Sequence, residues 1–167
     1  MLNAMMSLAF YCFLRIGQMV VKSTNDISRV LQFSDINVGY ENKVPINMTV
    51  TIKNYKHSNL QPKTISVDRN ANNVLCPVTA MLNYLKVVKH QSGPLFQLPV
   101  SYSYFSSSLK SLLEFIGLNP EVCTGHSFRI GAATSAVSKG TSFPVIQRMG
   151  RWKTNAVRNN RVDVNIM

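Results

Sequence analysis

The sequence predicts a mostly helical α+β domain with one small antiparallel sheet. Apolar residues make up 46% of the chain, which suits a globular fold. Strand-like segments fall between residues 31 and 67, and helical periodicity fills the sequence on both sides of them. With 167 residues, no internal repeat and no linker-like stretch, we expect a single domain over residues 1–167.

The chain opens with an apolar helix. Apolar residues recur at helical spacing from Leu2 to Phe13, and others fill the rest of the circumference, so we expect burial on several sides. A chain starting in such a helix is expected to lack a preceding domain. Arg15 ends the run far short of a membrane span, and the first residues do not resemble a signal peptide. We therefore expect no membrane partner and an intracellular protein, nuclear if eukaryotic.

Three strands follow the first helix. The segment Leu31–Ile36 is one candidate, Ile46–Ile52 alternates with period two, and Lys63–Val67 is the third. A turn-like stretch around Lys56 predicts a hairpin between the second and third strands.

Helical spacing and breakers predict the remaining elements. Pro77 starts a helix, Gly117 and Gly140 end two others, and Ser142 can cap a short one. The expected helices cover residues 77–88, 105–116, 128–137 and 142–149, and a last basic helix is capped by Thr154.

The charge balance favours a polyanionic partner. Lysines and arginines number 18 against 7 acids, giving a net charge of +11 and a pI near 9.9. Such an excess is typical of nucleic-acid-binding proteins, and a merely soluble basic surface is the alternative. The region from His126 onward contains only Asp163 as an acid against these basic residues: Arg129, Lys139, Arg148, Arg151, Lys153, Arg158 and Arg161.

The cysteines and acids indicate neither a metal nor a cofactor. Cys12, Cys76 and Cys123 are widely spaced, so they form neither a zinc motif nor a disulfide framework and are expected to be buried thiols in a reducing compartment. The sequence contains no carboxylate cluster that would hold a metal, and we expect no small-molecule cofactor.

The most specific signal is a pair of motifs near the carboxyl end. The first runs Gly125-His126-Ser127-Phe128-Arg129 and continues into a helix of small residues; the second is Gly150-Arg151-Trp152-Lys153. A His and an Arg three residues apart on one helical face can bind a single anion together. This His-x-x-Arg box followed by a Gly-Arg-Trp element resembles the tyrosine recombinases, the phage-integrase family that breaks and rejoins DNA strands. It is most similar to the eukaryotic mobile-element members.

The resemblance implies a set of catalytic residues that hold one phosphate without a metal. Arginines bind its oxygens, and a lysine supplies a proton to the leaving oxygen. Arg15 matches the first arginine, with Gln18 where the family has an acid, and Lys56 matches the hairpin lysine better than Lys53 or Lys63. The implied catalytic set is Arg15, Lys56, His126, Arg129 and Trp152, and the implied DNA-binding residues are Arg148, Arg151, Lys153 and Arg158.

One member of the family's pattern is missing. Asn160 stands where the nucleophilic tyrosine is expected, and no tyrosine follows Tyr104. A carboxamide is not a usable nucleophile, so the chain should hold a phosphate without cleaving it. The resemblance therefore implies a carboxyl end that is truncated or degenerate.

Three functions stay open from the sequence. The first is a tyrosine-recombinase catalytic domain for DNA recombination and integration, inactive here and derived from a mobile element, without the family's amino-terminal core-binding domain. The second is a non-catalytic module that binds double-stranded DNA. The third, a protein-interaction domain, requires a large exposed apolar patch. Homo-oligomerisation on DNA is a further expectation, and a tyrosine supplied by a different partner chain is conceivable.

Overall fold

A computed structural model describes residues 1–21, 24–55, 61–72, 74–96 and 100–152, with the side chains of residues 24–26 left aside. Within these ranges the chain forms five α-helices and one three-stranded sheet, which confirms the predicted α+β class. The helices are α1 (Leu2–Tyr11), α2 (Pro77–Val87), α3 (Tyr102–Phe115), α4 (Ser127–Ser138) and α5 (Phe143–Gly150); the strands are β1 (Ile36–Glu41), β2 (Val44–Ile52) and β3 (Lys63–Asp68); short 3-10 helices cover Ile16–Gln18, Thr24–Arg29 and Phe33–Asp35.

Helix α1 is the centre of the fold. Its residues Ala4, Met5, Leu8 and Ala9 are buried, and the helix packs against both α2 and α4. The prediction of a helix buried on several sides is therefore confirmed. No helix in the described ranges is both long enough and apolar enough to cross a membrane.

The sheet is antiparallel in the order β1-β2-β3. In the central strand Met48, Val50 and Ile52 are buried while the residues between them are more exposed, which is the alternation that the sequence predicts. The tight β1–β2 turn places Asn42 and Lys43 at positive φ, as hairpin turns of this length require. The second and third predicted strands are confirmed.

The first predicted strand, Leu31–Ile36, is wrong. The structure has a 3-10 helix at Phe33–Asp35 and begins β1 only at Ile36. The Asp35 carboxylate accepts the backbone N–H of Gln32 at 2.9 Å, and this local bond competes with strand pairing.

The later helices lie where the sequence predicts them. Gly117 and Gly140 follow α3 and α4 with φ of +76° and +78°, which glycine adopts readily. Ser142 occupies the predicted N-cap position of α5, although its side chain makes no capping hydrogen bond. Thr154 and the helix expected after it lie outside the described residues.

A second, smaller core joins the end of α1 to α4 and α5. Phe13, Ala132, Ala133 and Ile146 are its buried members, and the half-buried Trp152 packs against them. This core fixes the three segments that carry the motif residues.

Candidate functional site

The motif residues meet where the turn after α1, the start of α4 and the end of α5 come together. Gly125 lets the backbone at the start of α4 pack closely against Ile16, because a Cβ added to Gly125 would lie 2.4 Å from Cγ1 of Ile16. A larger residue would push the start of α4 away from the turn that carries Arg15. The glycine of the first motif therefore brings His126 beside Arg15.

Arg15 is half-buried and lies just before the 3-10 helix Ile16–Gln18. Its backbone N–H donates to Oε1 of Gln18 at 2.9 Å. The Nε2 of Gln18 donates to the carbonyl of Asn54 at 3.1 Å. Gln18, at the position where the resembling family has an acid, thus connects Arg15 to the chain just beyond β2.

His126 is exposed and occupies the N-cap position of α4. Its backbone N–H donates to Oγ1 of Thr124 at 3.2 Å, and the N–H of Thr124 donates to Oγ of Ser127 at 3.0 Å. These two bonds fix the turn and leave the imidazole facing solvent.

Arg129 is fully buried, with 0% of its surface exposed. One terminal nitrogen donates to the carbonyl of Phe13, and the other donates to the carbonyl of Gly150 at 2.7 Å. The Nε is buried and has no partner in the described part of the chain. Although His126 and Arg129 were expected to face one anion together, the structure exposes the first and encloses the second.

Arg151 also points inward. Its guanidinium donates to the carbonyls of Cys12 at 3.3 Å and Phe13 at 2.8 Å. The carbonyl of Phe13 therefore accepts from two arginines. Phe13 and Arg151 both have positive φ, 53° and 56°, a conformation that is uncommon outside glycine. These two unusual residues hold the end of α1 to the end of α5.

Trp152 lies under Arg129. The guanidinium carbon of Arg129 is 4.7 Å from the centre of the indole ring, a cation–π distance, and Phe13 packs edge-on against the same ring. A Cβ on Gly150 would lie 1.7 Å from Cζ3 of Trp152. The second motif thus uses its glycine to make room for its tryptophan.

Lys53 and Lys63, the two alternatives to Lys56, are both engaged. The Nζ of Lys53 forms an ion pair with the buried Asp35 at 2.6 Å. The Nζ of Lys63 donates to the carbonyl of Arg148 and thereby links β3 to the end of α5. Lys56, the lysine that the resemblance favours, lies outside the described residues.

The electrostatics of the cluster are those of unneutralised cations. Burial, together with the charges of Arg15 and Arg151, lowers the pKa of Arg129 to about 9. Burial also lowers the pKa of Arg151 to about 10; Cys12 and Tyr55 act in the opposite direction, and Arg15 lowers it as well. Partial burial, followed by the charges of Arg129 and Arg15, lowers the pKa of His126.

The pKa of Lys63 is lowered as well, first by burial and then by Arg151 and Arg148. Among the described residues, no carboxylate contributes to any of these four shifts. Mutual repulsion of this kind is relieved when an anion binds. No group of His, Cys, Asp or Glu side chains within the described ranges could hold a metal ion.

The structure brings together four of the five expected catalytic residues: Arg15, His126, Arg129 and Trp152. Of the expected DNA-binding residues, Arg148 is exposed on α5 and Arg151 is half-buried. Lys56, Lys153, Arg158 and Asn160 lie outside the described residues.

Sequence reasoning missed the carbonyl of Phe13 as the common acceptor and the bond from Gln18 to Asn54. No sequence signal marks a backbone carbonyl as an acceptor. The bond from Gln18 to Asn54 could have been suspected from the amide at position 18, where the resembling family has an acid.

No family model matches the chain, and no curated protein matches it in sequence. Solved structures that are similar to it over 95% of its length include two DNA complexes of a recombinase. One is XerH site-specific recombinase bound to palindromic difH substrate in a post-cleavage complex, with 16% identity and a TM-score of 0.63; the other is XerH bound to difH substrate in a pre-cleavage complex, with 15% identity and a TM-score of 0.65. The chain has a tyrosine-recombinase-like fold. The alignments span 41% and 42% of those chains, so this chain corresponds to about two-fifths of their length.

Proposed function

We propose that this domain binds double-stranded DNA through its phosphates, using the cation cluster of a tyrosine-recombinase-like fold, and that it does not break the strand itself. The observation that carries the proposal is that Arg15, His126, Arg129 and Arg151 lie close enough for their charges to interact. Beyond the effect of burial, the charge of Arg15 lowers the pKa of each of the other three, and no described carboxylate contributes to those shifts. The two similar structures are DNA complexes of a recombinase, which supports the same partner.

The outer part of the cluster makes the phosphate contact. Arg15 is half-buried and His126 is exposed, so both can meet a DNA backbone that lies over the start of α4. Arg129 and Arg151 lie behind them and add positive charge from within the protein. Because charge in a partly buried site is poorly screened, this arrangement strengthens the attraction at the surface.

The chemistry that we assign stops at binding. In this reading Asn160 replaces the nucleophilic tyrosine, and the remaining residues can stabilise a phosphate but cannot attack it. We infer that the chain is a recombination and integration domain of a mobile element that has lost its nucleophile. We also infer that it acts inside the cell, in the nucleus if the host is eukaryotic.

The test is a gel shift with duplex DNA across a salt series, run beside a suicide-substrate cleavage assay. If about six phosphates are neutralised, affinity should fall on the order of a thousandfold between about 50 and about 200 mM salt. No covalent adduct should form. Affinity that is independent of salt would refute the phosphate-binding site.

A second function is cleavage with a tyrosine supplied by a different partner chain, since the cluster would still stabilise the reacting phosphate. A covalent adduct formed by the chain alone would instead indicate another nucleophile. Tyr102 and Tyr104, which are 47% and 44% exposed at the start of α3, would be replaced first to locate it.

A further inference from the structure

Gln18 uses both ends of its side-chain amide. Its Oε1 accepts the backbone N–H of Arg15 at 2.9 Å, and its Nε2 donates to the carbonyl of Asn54 at 3.1 Å. The side chain of Asn54 in turn donates to the carbonyl of Ser28 at 3.3 Å. One side chain therefore connects Arg15 to a second hydrogen-bonded segment.

Only an amide can make both of these bonds. An ionised carboxylate accepts hydrogen bonds but cannot donate one, so a glutamate at this position could hold the N–H of Arg15 and would face the Asn54 carbonyl with a repulsive contact. A methionine of similar length could make neither bond.

The segment that Gln18 reaches belongs to the site. Asn54 lies two residues past the end of β2. Next to it, the ring of Tyr55 lies 5.9 Å from the guanidinium carbon of Arg151. The bond from Gln18 thus fixes Arg15 relative to the beginning of the β2–β3 connection, which continues into Lys56.

The neutrality of Gln18 also matters. The charge of Arg15 lowers the pKa of His126, Arg129 and Arg151, so its field reaches the whole cluster. A carboxylate three residues away would offset that field. With an amide at this position, the charge of Arg15 stays available to an external anion.

We propose that Gln18 is the positioning residue of the site: it holds Arg15 against the β2–β3 connection and leaves the Arg15 charge uncompensated for a DNA phosphate. This inference rests on the proposed function. It assigns to the amide a role that the acid of the resembling family cannot fill in the same way.

The experiment compares Gln18→Glu and Gln18→Met with Gln91→Glu, which makes the same charge change at an exposed residue beyond α2. In the gel shift, Gln18→Glu should bind duplex DNA about tenfold more weakly, and the slope of log affinity against log salt should become shallower by about one phosphate. Gln18→Met should weaken binding a few-fold with the slope unchanged, because no charge is altered. Gln91→Glu should behave like the unmodified protein in both respects.

Hydrogen exchange of the Arg15 amide provides a readout that needs no DNA. The amide should be protected in the unmodified protein and in Gln18→Glu, and it should exchange faster in Gln18→Met, which lacks an acceptor. Circular dichroism confirms that each variant is folded.

The outcomes separate this inference from the proposed function. If Arg15→Ala binds DNA more weakly while both Gln18 variants keep unmodified affinity and slope, the role of Gln18 is refuted and DNA binding stands. If the unmodified protein does not bind duplex DNA, the proposed function fails, and with it the charge role of Gln18. Equal Arg15 exchange in all variants would refute the positioning role in either case.

Discussion

The cation cluster consists of Arg15, His126, Arg129 and Arg151, and it divides into an inner pair and an outer pair. Both pairs carry hydrogen-bond donors, but the inner pair binds the protein's own backbone and the outer pair faces solvent. The inner pair, Arg129 and Arg151, donates to backbone carbonyls of Cys12, Phe13 and Gly150. The outer pair, Arg15 and His126, is accessible to solvent. A motif arginine can therefore hold two parts of the fold together, and its capacity to bind an external phosphate depends on its exposure as well as on its position in the motif.

The largest expected effect is a loss of folding stability when an inner arginine is removed. Arg129→Ala leaves the carbonyl of Gly150 without its side-chain donor, while the carbonyl of Phe13 keeps Arg151 as a donor. An unpaired buried group costs about 1–3 kcal/mol, and the variant also loses the packing of the guanidinium on Trp152. Relief of repulsion from Arg15 and Arg151 offsets part of this cost. We expect the free energy of unfolding to fall by about 3 kcal/mol, measured by urea denaturation.

The matched control is Arg148→Ala, which removes an exposed arginine side chain from α5 and should change stability by less than about 0.5 kcal/mol. If the two variants were equally stable, the inner arginines would not stabilise the fold through their backbone hydrogen bonds, and the distinction between the inner and outer pairs would be refuted.

A smaller effect is expected from His126. Its pKa is lowered in the free protein, so the imidazole is neutral at pH 7, and a bound phosphate would favour its protonated form. DNA binding should therefore take up a proton. The gain in affinity is complete below the free-state pKa and is lost as pH rises through the bound-state pKa.

We expect up to about a tenfold rise in affinity on acidification, the equivalent of one pKa unit, measured by gel shift between about pH 7.5 and 5.5 at fixed salt. The His126→Gln variant should show a flatter dependence. An unchanged profile in that variant would remove His126 from the outer pair.

The sequence was sufficient to predict the fold class, but it did not predict which residues of the cation cluster are buried and which are accessible to solvent. Periodicity located the helices, and alternation located β2 and β3, because burial alone sets those patterns. It placed β1 too early because the Asp35–Gln32 bond favours a turn over a strand, and competition between local bonds is not visible in a hydropathy pattern.

For the site, order and spacing identified four residues that the structure brings together. Spacing could not show that Arg129 is enclosed while His126 is exposed. The enclosure of Arg129 depends on the carbonyls of Phe13 and Gly150, which accept from its guanidinium, and Phe13 and the neighbouring Arg151 have positive φ. A positive φ is uncommon for phenylalanine and arginine, so the sequence does not predict it at either residue.

The most direct test of phosphate binding by the outer pair is the salt slope of Arg15→Ala. Lys86→Ala, which removes one charge from the last turn of α2, is the matched control. We expect Arg15→Ala to bind duplex DNA about tenfold more weakly and to make the slope shallower by about 0.9, one phosphate's share, with stability almost unchanged. Equal slopes and affinities for Arg15→Ala, Lys86→Ala and the unmodified protein would contradict phosphate binding by the outer pair.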